Sequence, residues 1–173
     1  MDDPGENMSP SVIIALGSND KGAWPDIGAL LDAAVHDLEN AGLGDLRRSR
    51  WWRSAAWPDP ADPPFLNGVV RGVWDGTAVD LMATLCRTEE RFDRRRSARN
   101  APRTLDLDLI DFGGQVLADP ALTLPHPRAA DRLFVMGPLA ELAPDWRDPV
   151  SGHTVIELAA AATVGRDAVP LDR

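Results

Sequence analysis

An α+β domain is the fold class this sequence predicts, and three observations carry the prediction. Short apolar runs with strand character alternate along the chain with longer stretches whose apolar residues recur every three to four positions. No internal repeat, low-complexity segment or linker divides the 173 residues, a length that suits one domain. Hydrophobic residues are 44% and charged residues 26%, a globular composition well away from the disordered class.

Residues 1–10 are acidic, lack an apolar stretch and are expected to form a disordered tail, with no secretory signal. Residues 11–165 are expected to form the single domain, and 166–173 a C-terminal tail. Val12-Ile13-Ile14-Ala15-Leu16 is a continuous apolar run that stops at Gly17-Ser18-Asn19, which predicts a buried strand leading into a loop. Ile27, Leu30, Leu31, Ala34, Val35 and Leu38 then repeat at helical spacing behind Pro25-Asp26, and Gly42 ends that helix. The Trp-rich segment Leu46 to Ser54 reads as extended. It runs into the proline-stiffened stretch from Trp57 to Pro64, too long for a simple turn and therefore a candidate binding loop.

Phe65 to Trp74 alternates as a strand, with Phe65, Asn67, Val69, Arg71 and Val73 on one face and Leu66, Val70 and Trp74 on the other. A second amphipathic helix follows. Its expected core stripe is Val79, Met82, Leu85 and Cys86, with Thr77 and Asp80 as a capping pair. Thr104 to Phe112 reads as a strand, Asp119 to Pro127 as a proline-bounded loop, and Asp131 to Leu142 as largely helical. Thr154 and Glu157 are spaced to cap a short final helix.

Charge narrows the function. Eighteen basic against 27 acidic residues give −9, which argues against a general nucleic-acid or anionic-membrane binder. No apolar run approaches the roughly 20 residues of a membrane helix. The single cysteine, Cys86, rules out an internal disulfide framework and a cysteine-rich metal site, so the reducing cytoplasm is the expected compartment. The cations are nevertheless clustered: Arg91, Arg94, Arg95, Arg96, Arg99 and Arg103 lie in one short stretch. Such a cluster is often a solvated loop, but its members repel one another unless an anion meets them.

The sharpest chemical feature follows directly, in Arg103-Thr104-Leu105-Asp106-Leu107-Asp108-Leu109. In a strand, Asp106 and Asp108 project from one face about 6–7 Å apart at the backbone, and the leucines from the other. Alone, such a pair is commonly two solvated aspartates. Beside arginines that offer planar forks to phosphate oxygens, it suits Mg²⁺ and phosphoryl transfer, where catalysis is mostly positioning and charge neutralisation. No Gly-x-x-x-x-Gly-Lys, Gly-x-Gly-x-x-Gly or kinase signature is present. His36 and His153 carry no signal, whereas His126 stands between Pro125 and Pro127 and suits a contact to a polyanion. The three histidines are not spaced as a metal triad.

Ala15-Leu16-Gly17-Ser18-Asn19, Phe65-Leu66-Asn67, Pro102-Arg103-Thr104-Leu105-Asp106-Leu107-Asp108, His126-Pro127-Arg128 and the block from Arg132 to Pro144 occur in one order. In that order they resemble the 6-hydroxymethyl-7,8-dihydropterin pyrophosphokinase family of folate biosynthesis, over roughly residues 12 to 145. The resemblance implies a ferredoxin-like sandwich, an antiparallel sheet flanked by helices. It implies transfer of pyrophosphate from the co-substrate ATP to the dihydropterin hydroxymethyl group, releasing AMP. By the same resemblance Asp106 and Asp108 hold two Mg²⁺ ions. Arg94, Arg99 and Arg103 take the ATP phosphates and serve catalysis, with His126, Arg132 and Glu89 also at the ATP site. Ser54, Ala55, Trp57, Phe65, Asn67 and Phe134 form the pterin pocket. Small-molecule substrates, a monomer, and neither nucleic acid nor membrane are the expected partners.

Three departures from the family pattern stand out. Arg-Trp-Gly-Pro-Arg reads Arg99-Asn100-Ala101-Pro102-Arg103, Asp93 replaces a glycine, and Thr-Pro-Pro reads Ser54-Ala55-Ala56. None removes a metal ligand. The rival readings are a two-metal phosphohydrolase or nuclease using the same aspartates, and a non-catalytic RNA-binding module, which the net charge disfavours.

Overall fold

The run at Val12–Leu16 is apolar at every position because the strand it forms is covered on both faces. In the computed structural model, which describes residues 8–56, 59–92 and 104–172, β1 (Ser11–Ser18) lies mid-sheet. It pairs antiparallel with β4 (Phe65–Val73) on one side and β5 (Asp106–Phe112) on the other. Val12, Ile14 and Leu16 enter one core; Ile13 and Ala15 enter a second. Beyond β4 lie β2 (Gly44–Arg48) and β3 (Trp52–Ser54), and β3 pairs in turn with β8 (Val169–Pro170).

The strand order β5-β1-β4-β3-β8, with β2 also on β4, interleaves two β-α-β halves into an antiparallel sheet. That is the expected α+β sandwich. Helices α1 (Ile27–Asn40) and α2 (Ala78–Phe92) bury Leu30, Leu31, Ala34, Leu38, Leu81 and Leu85 against the first face. Helix α3 (Leu133–Leu142) lays Val135, Met136 and Leu139 on the second face, joined by Val155 of α4 (Val155–Ala161).

The start signals act as the sequence suggests. The Asp26 carboxylate accepts from Ala29 N at 2.8 Å, and Gly42, at φ 113°, turns the chain out of α1. Thr77 and Asp80 cap α2 reciprocally, as do Thr154 and Glu157 for α4.

Two expectations need correction. On α2, Val79 is 67% exposed and Cys86 is exposed, while Ala78, Leu81, Leu85 and the hydroxyl-bearing Thr84 and Thr88 face the core. The stripe is rotated because two threonines satisfy their own hydroxyls: Thr84 donates to Asp80 O and Thr88 to Asp37. The supposed loop after Asp119 contains part of a hairpin, β6 (Leu117–Asp119) with β7 (Leu122–Leu124), because Pro120-Ala121 makes a tight turn closed by Asp119 accepting from Ala121 N. The stretch from Asp131 to Leu142 is largely helical, as the sequence suggests. A 3-10 turn (Ala129–Asp131) and an extended Arg132 precede α3. The Trp-rich segment is extended, as expected, and carries β2 and β3. In addition, Val169 and Pro170, within the stretch read as a tail, form β8.

Candidate active site

Strand register assembles the site. Asn67 of β4, Gly17 of β1 and Asp106 of β5 are direct partners across three strands, and Val69, Ala15 and Asp108 form the next row. Directly paired residues share a face, and the face here is the one that α3 covers. The β5 sequence explains itself on this sheet. Leu105, Leu107 and Leu109 anchor the chain in the core under α1 and α2, which turns Asp106 and Asp108 to the other side. Two strand spacings, roughly 10 Å, separate the amide of the Asn67 row from the carboxylate of Asp106. Gly17 and Ala15 lie between them, so the middle strand presents almost no side chain and leaves a trough.

That trough is a cavity of about 290 Å³. Ala15, Leu16 and Gly17 form its floor and Asp106 and Asp108 one wall; Ser54, Ala55, Phe65 and Asn67 form the opposite wall. Arg132, Phe134 and Val135 from the start of α3, with Val164, complete it. Each polar member is held. Asn67, 7% exposed, donates from Nδ2 to Ser54 Oγ at 3.0 Å, and Ser54 is itself buried beside β4. A Cβ on Gly17 would stand 2.9 Å from Asn67 Oδ1, so the glycine is what lets the amide lie there. The Arg132 guanidinium lies 5.7 Å over the Phe134 ring. Phe65 and Phe134 are half-buried, so both rings present area to the trough.

Glu89 reaches across from α2 and accepts from Leu107 N at 2.7 Å, tying the helix to β5 between its two aspartates. It does not line the cavity. His126 stands just outside, with Nε2 3.8 Å from Asp108 Oδ1. Its Nδ1 accepts from Arg128 N at 3.2 Å, which leaves Nε2 to carry the proton of the neutral ring toward Asp108. Burial pushes the His126 pKa down from 6.5; the Asp108 carboxylate opposes this, and Arg132 and Arg128 reinforce it.

Asp106 and Asp108 offer hard oxygen ligands on one half-buried face, which fits Mg²⁺, a cation that keeps sites for water and phosphate. Among the described residues no third His, Cys, Asp or Glu joins them as a ready cage, so much of the coordination falls to water or substrate. Of the residues singled out from sequence, Ser54, Ala55, Phe65, Asn67, Asp106, Asp108, Arg132 and Phe134 converge on one cavity. Trp57, Arg94, Arg99 and Arg103 lie outside the described residues. Sequence reasoning missed Ala15, Leu16, Gly17, Val135 and Val164 as lining residues. The small residues ending the first apolar run were a usable signal; Val164 offered none.

The family model described as 7,8-dihydro-6-hydroxymethylpterin-pyrophosphokinase (HPPK) matches residues 13–144. A Pseudomonas aeruginosa protein named 2-amino-4-hydroxy-6-hydroxymethyldihydropteridine pyrophosphokinase is 43% identical over 166 residues, covering 94% of this chain and 99% of its own. A Synechocystis protein of the same name is 42% identical over 150 residues, 84% of this chain and 73% of its own. Among solved structures, a Plasmodium falciparum HPPK-DHPS superposes with a TM-score of 0.69 at 12% identity. It covers 91% of this chain, which spans 46% of that longer one, and supports the fold alone.

Proposed function

The chain belongs to the 7,8-dihydro-6-hydroxymethylpterin-pyrophosphokinase family, and from that premise we propose that it transfers pyrophosphate from ATP to 6-hydroxymethyl-7,8-dihydropterin, releasing AMP. The observation that carries this reading is the trough itself, which faces a pair of carboxylates with a ring-sized wall of Phe65, Phe134 and Asn67. A phosphohydrolase or nuclease using the same aspartates has no need of that wall.

The geometry distributes the work as follows. The flat pterin lies between the Phe65 and Phe134 rings, and the Asn67 amide, oriented by Ser54, reads its polar edge. The hydroxymethyl oxygen then points along the floor toward β5. That oxygen bonds to the β-phosphorus of ATP in line with the departing α,β-bridging oxygen, whose bond breaks to leave AMP. The hydroxyl gives up its proton to solvent water as that bond forms. Asp106 and Asp108 would hold two Mg²⁺ ions, which would supply charge neutralisation of the triphosphate and of the departing group. Arg132, Arg94, Arg99 and Arg103 bind phosphate oxygens, and Glu89, at the ATP side, ties α2 to β5 through Leu107 N. His126 contacts the nucleotide's phosphates from beside Asp108.

In the described residues no helix is long and apolar enough to cross a membrane. With one cysteine and small-molecule substrates, a cytoplasmic monomer is the setting we infer. Purified chain incubated with ATP, Mg²⁺ and hydroxymethyl-dihydropterin should release AMP in step with pterin diphosphate. Release of inorganic phosphate or pyrophosphate without a diphosphorylated pterin would contradict the assignment.

A further inference from the structure

The pterin side of the trough is closed by a segment with no role so far, the stretch 162–172 that follows α4. It is anchored at both ends. Upstream, Val164 N donates to Asp131 O at 3.0 Å and Leu133 N to Val164 O at 2.9 Å; downstream, Val169 pairs with Arg53 and Leu171 N donates to Trp51 O at 2.9 Å. At its bend, Gly165 adopts φ +69°, and a Cβ there would stand 2.4 Å from Phe134. The strap therefore presses on the ring that forms one wall of the trough.

The wall of Ser54, Phe65 and Asn67 also includes Ala55, the first residue past β3. Ser54 is the last residue of this strand in register with β4, so from Ala55 onward the ladder gives no support. Ala55 is exposed between the buried Ser54 and Ala56, and its own methyl group gives the backbone little to pack against. Its N–H donates instead to Asp167 Oδ2 at 2.5 Å, across 112 residues of chain. Asp167 does not line the cavity. Resting on the proposed function, we infer that Asp167 is a positioning residue for the pterin: it ties the Ala55 wall to the strap that braces Phe134, and so sets the width of the slot that holds the ring. Without that tie the two walls move independently, and ring binding weakens while the phosphate end of the trough is unaffected.

The test uses the full chain with Asp167→Ala and Asp167→Asn, reading pterin KM, ATP KM and kcat separately, together with equilibrium pterin binding from its fluorescence. Asp167→Ala should raise pterin KM and Kd roughly three- to tenfold, the worth of one charge-assisted hydrogen bond, with ATP KM and kcat within about twofold of wild type. Asp167→Asn keeps an acceptor oxygen and should bind pterin close to wild type. Unchanged pterin affinity in Asp167→Ala, an equal rise in both KM values, an Asn variant as impaired as the Ala variant, or an Asp167→Ala chain that does not fold would each overturn the inference. Binding reads it without turnover. A wild-type chain that binds pterin but forms no AMP sinks the proposed reaction alone, and one that binds no pterin sinks both.

Discussion

Asp106 and Asp108 differ from the other acidic residues of an acidic chain in being turned, by the leucines that alternate with them, into a shared trough. Replacing either with Asn keeps shape and removes a charged ligand, so turnover should fall by orders of magnitude with the fold intact. AMP release at saturating Mg²⁺, set beside a circular dichroism melt, checks this; near-wild-type turnover contradicts the two-metal role. Asn67 acts at the other wall, and its amide is buried and oriented by Ser54. Asn67→Ala leaves the ring edge without its partner, at about 1–3 kcal/mol, so pterin should bind roughly tenfold or more weakly while ATP affinity changes little. Titrating each ligand separately decides it, because equal weakening of both would make Asn67 a structural residue. Strand alternation made it legible in the sequence that Asp106 and Asp108 share a face and that Asn67 shares one with Phe65; the roles expected of all three came with the family resemblance. The restraint each one feels was not legible, since Ser54 and Glu89 reach them from other elements.

At the scale of elements, the short connections shape the site as much as the long ones. α3 begins after an extended Arg132, a break that periodicity did not signal, and this break presents Arg132 and Phe134 together to the trough. Gly137 lets α3 approach the sheet, since a Cβ there would stand 2.6 Å from the Trp52 ring. Gly165 does the same for the strap. Gly165→Ala places an L side chain at positive φ, at roughly 1–2 kcal/mol, and drives a methyl into Phe134. Urea unfolding should show a loss of at least that size, and pterin affinity should fall with it. A variant as stable as wild type would mean that the strap yields easily and does not brace the ring. The α2 stripe is a converse lesson. Counting apolar residues placed Val79 and Cys86 inward, but Thr84 and Thr88, each with a hydrogen-bond partner, took the buried positions.

For the molecule as a whole, the feature outside the site with a measurable consequence is Asp111, 5% exposed beneath the second core. Its Oδ2 accepts from Gly114 N at 3.3 Å, and Oδ1 is buried without a hydrogen-bond partner among the described residues. Burial raises its pKa above 3.8, and the nearby charge of Asp148 adds to this, against the Gly114 and Trp146 N–H groups. A carboxyl raised on folding contributes stability that is complete below its unfolded pKa and is lost as pH rises through the folded value. Asp111→Asn mimics the protonated side chain, so it should stabilise the protein at pH 7 and remove that descent. Urea midpoints from pH 4 to 8 test this, and a variant less stable at pH 7 than wild type contradicts it. By itself the sequence determined the fold class, the faces of β4 and β5, the helix caps and the identity of most candidate site residues, because period, capping and motif spacing are local properties of the chain. Only the tertiary structure decided that Gly17 and Ala15 floor the trough, that Glu89 braces β5, and that Val164 and Gly165 come against the Phe134 side of it. Those facts depend on register and on contacts between residues up to 120 positions apart, and no local pattern records which distant segments will meet.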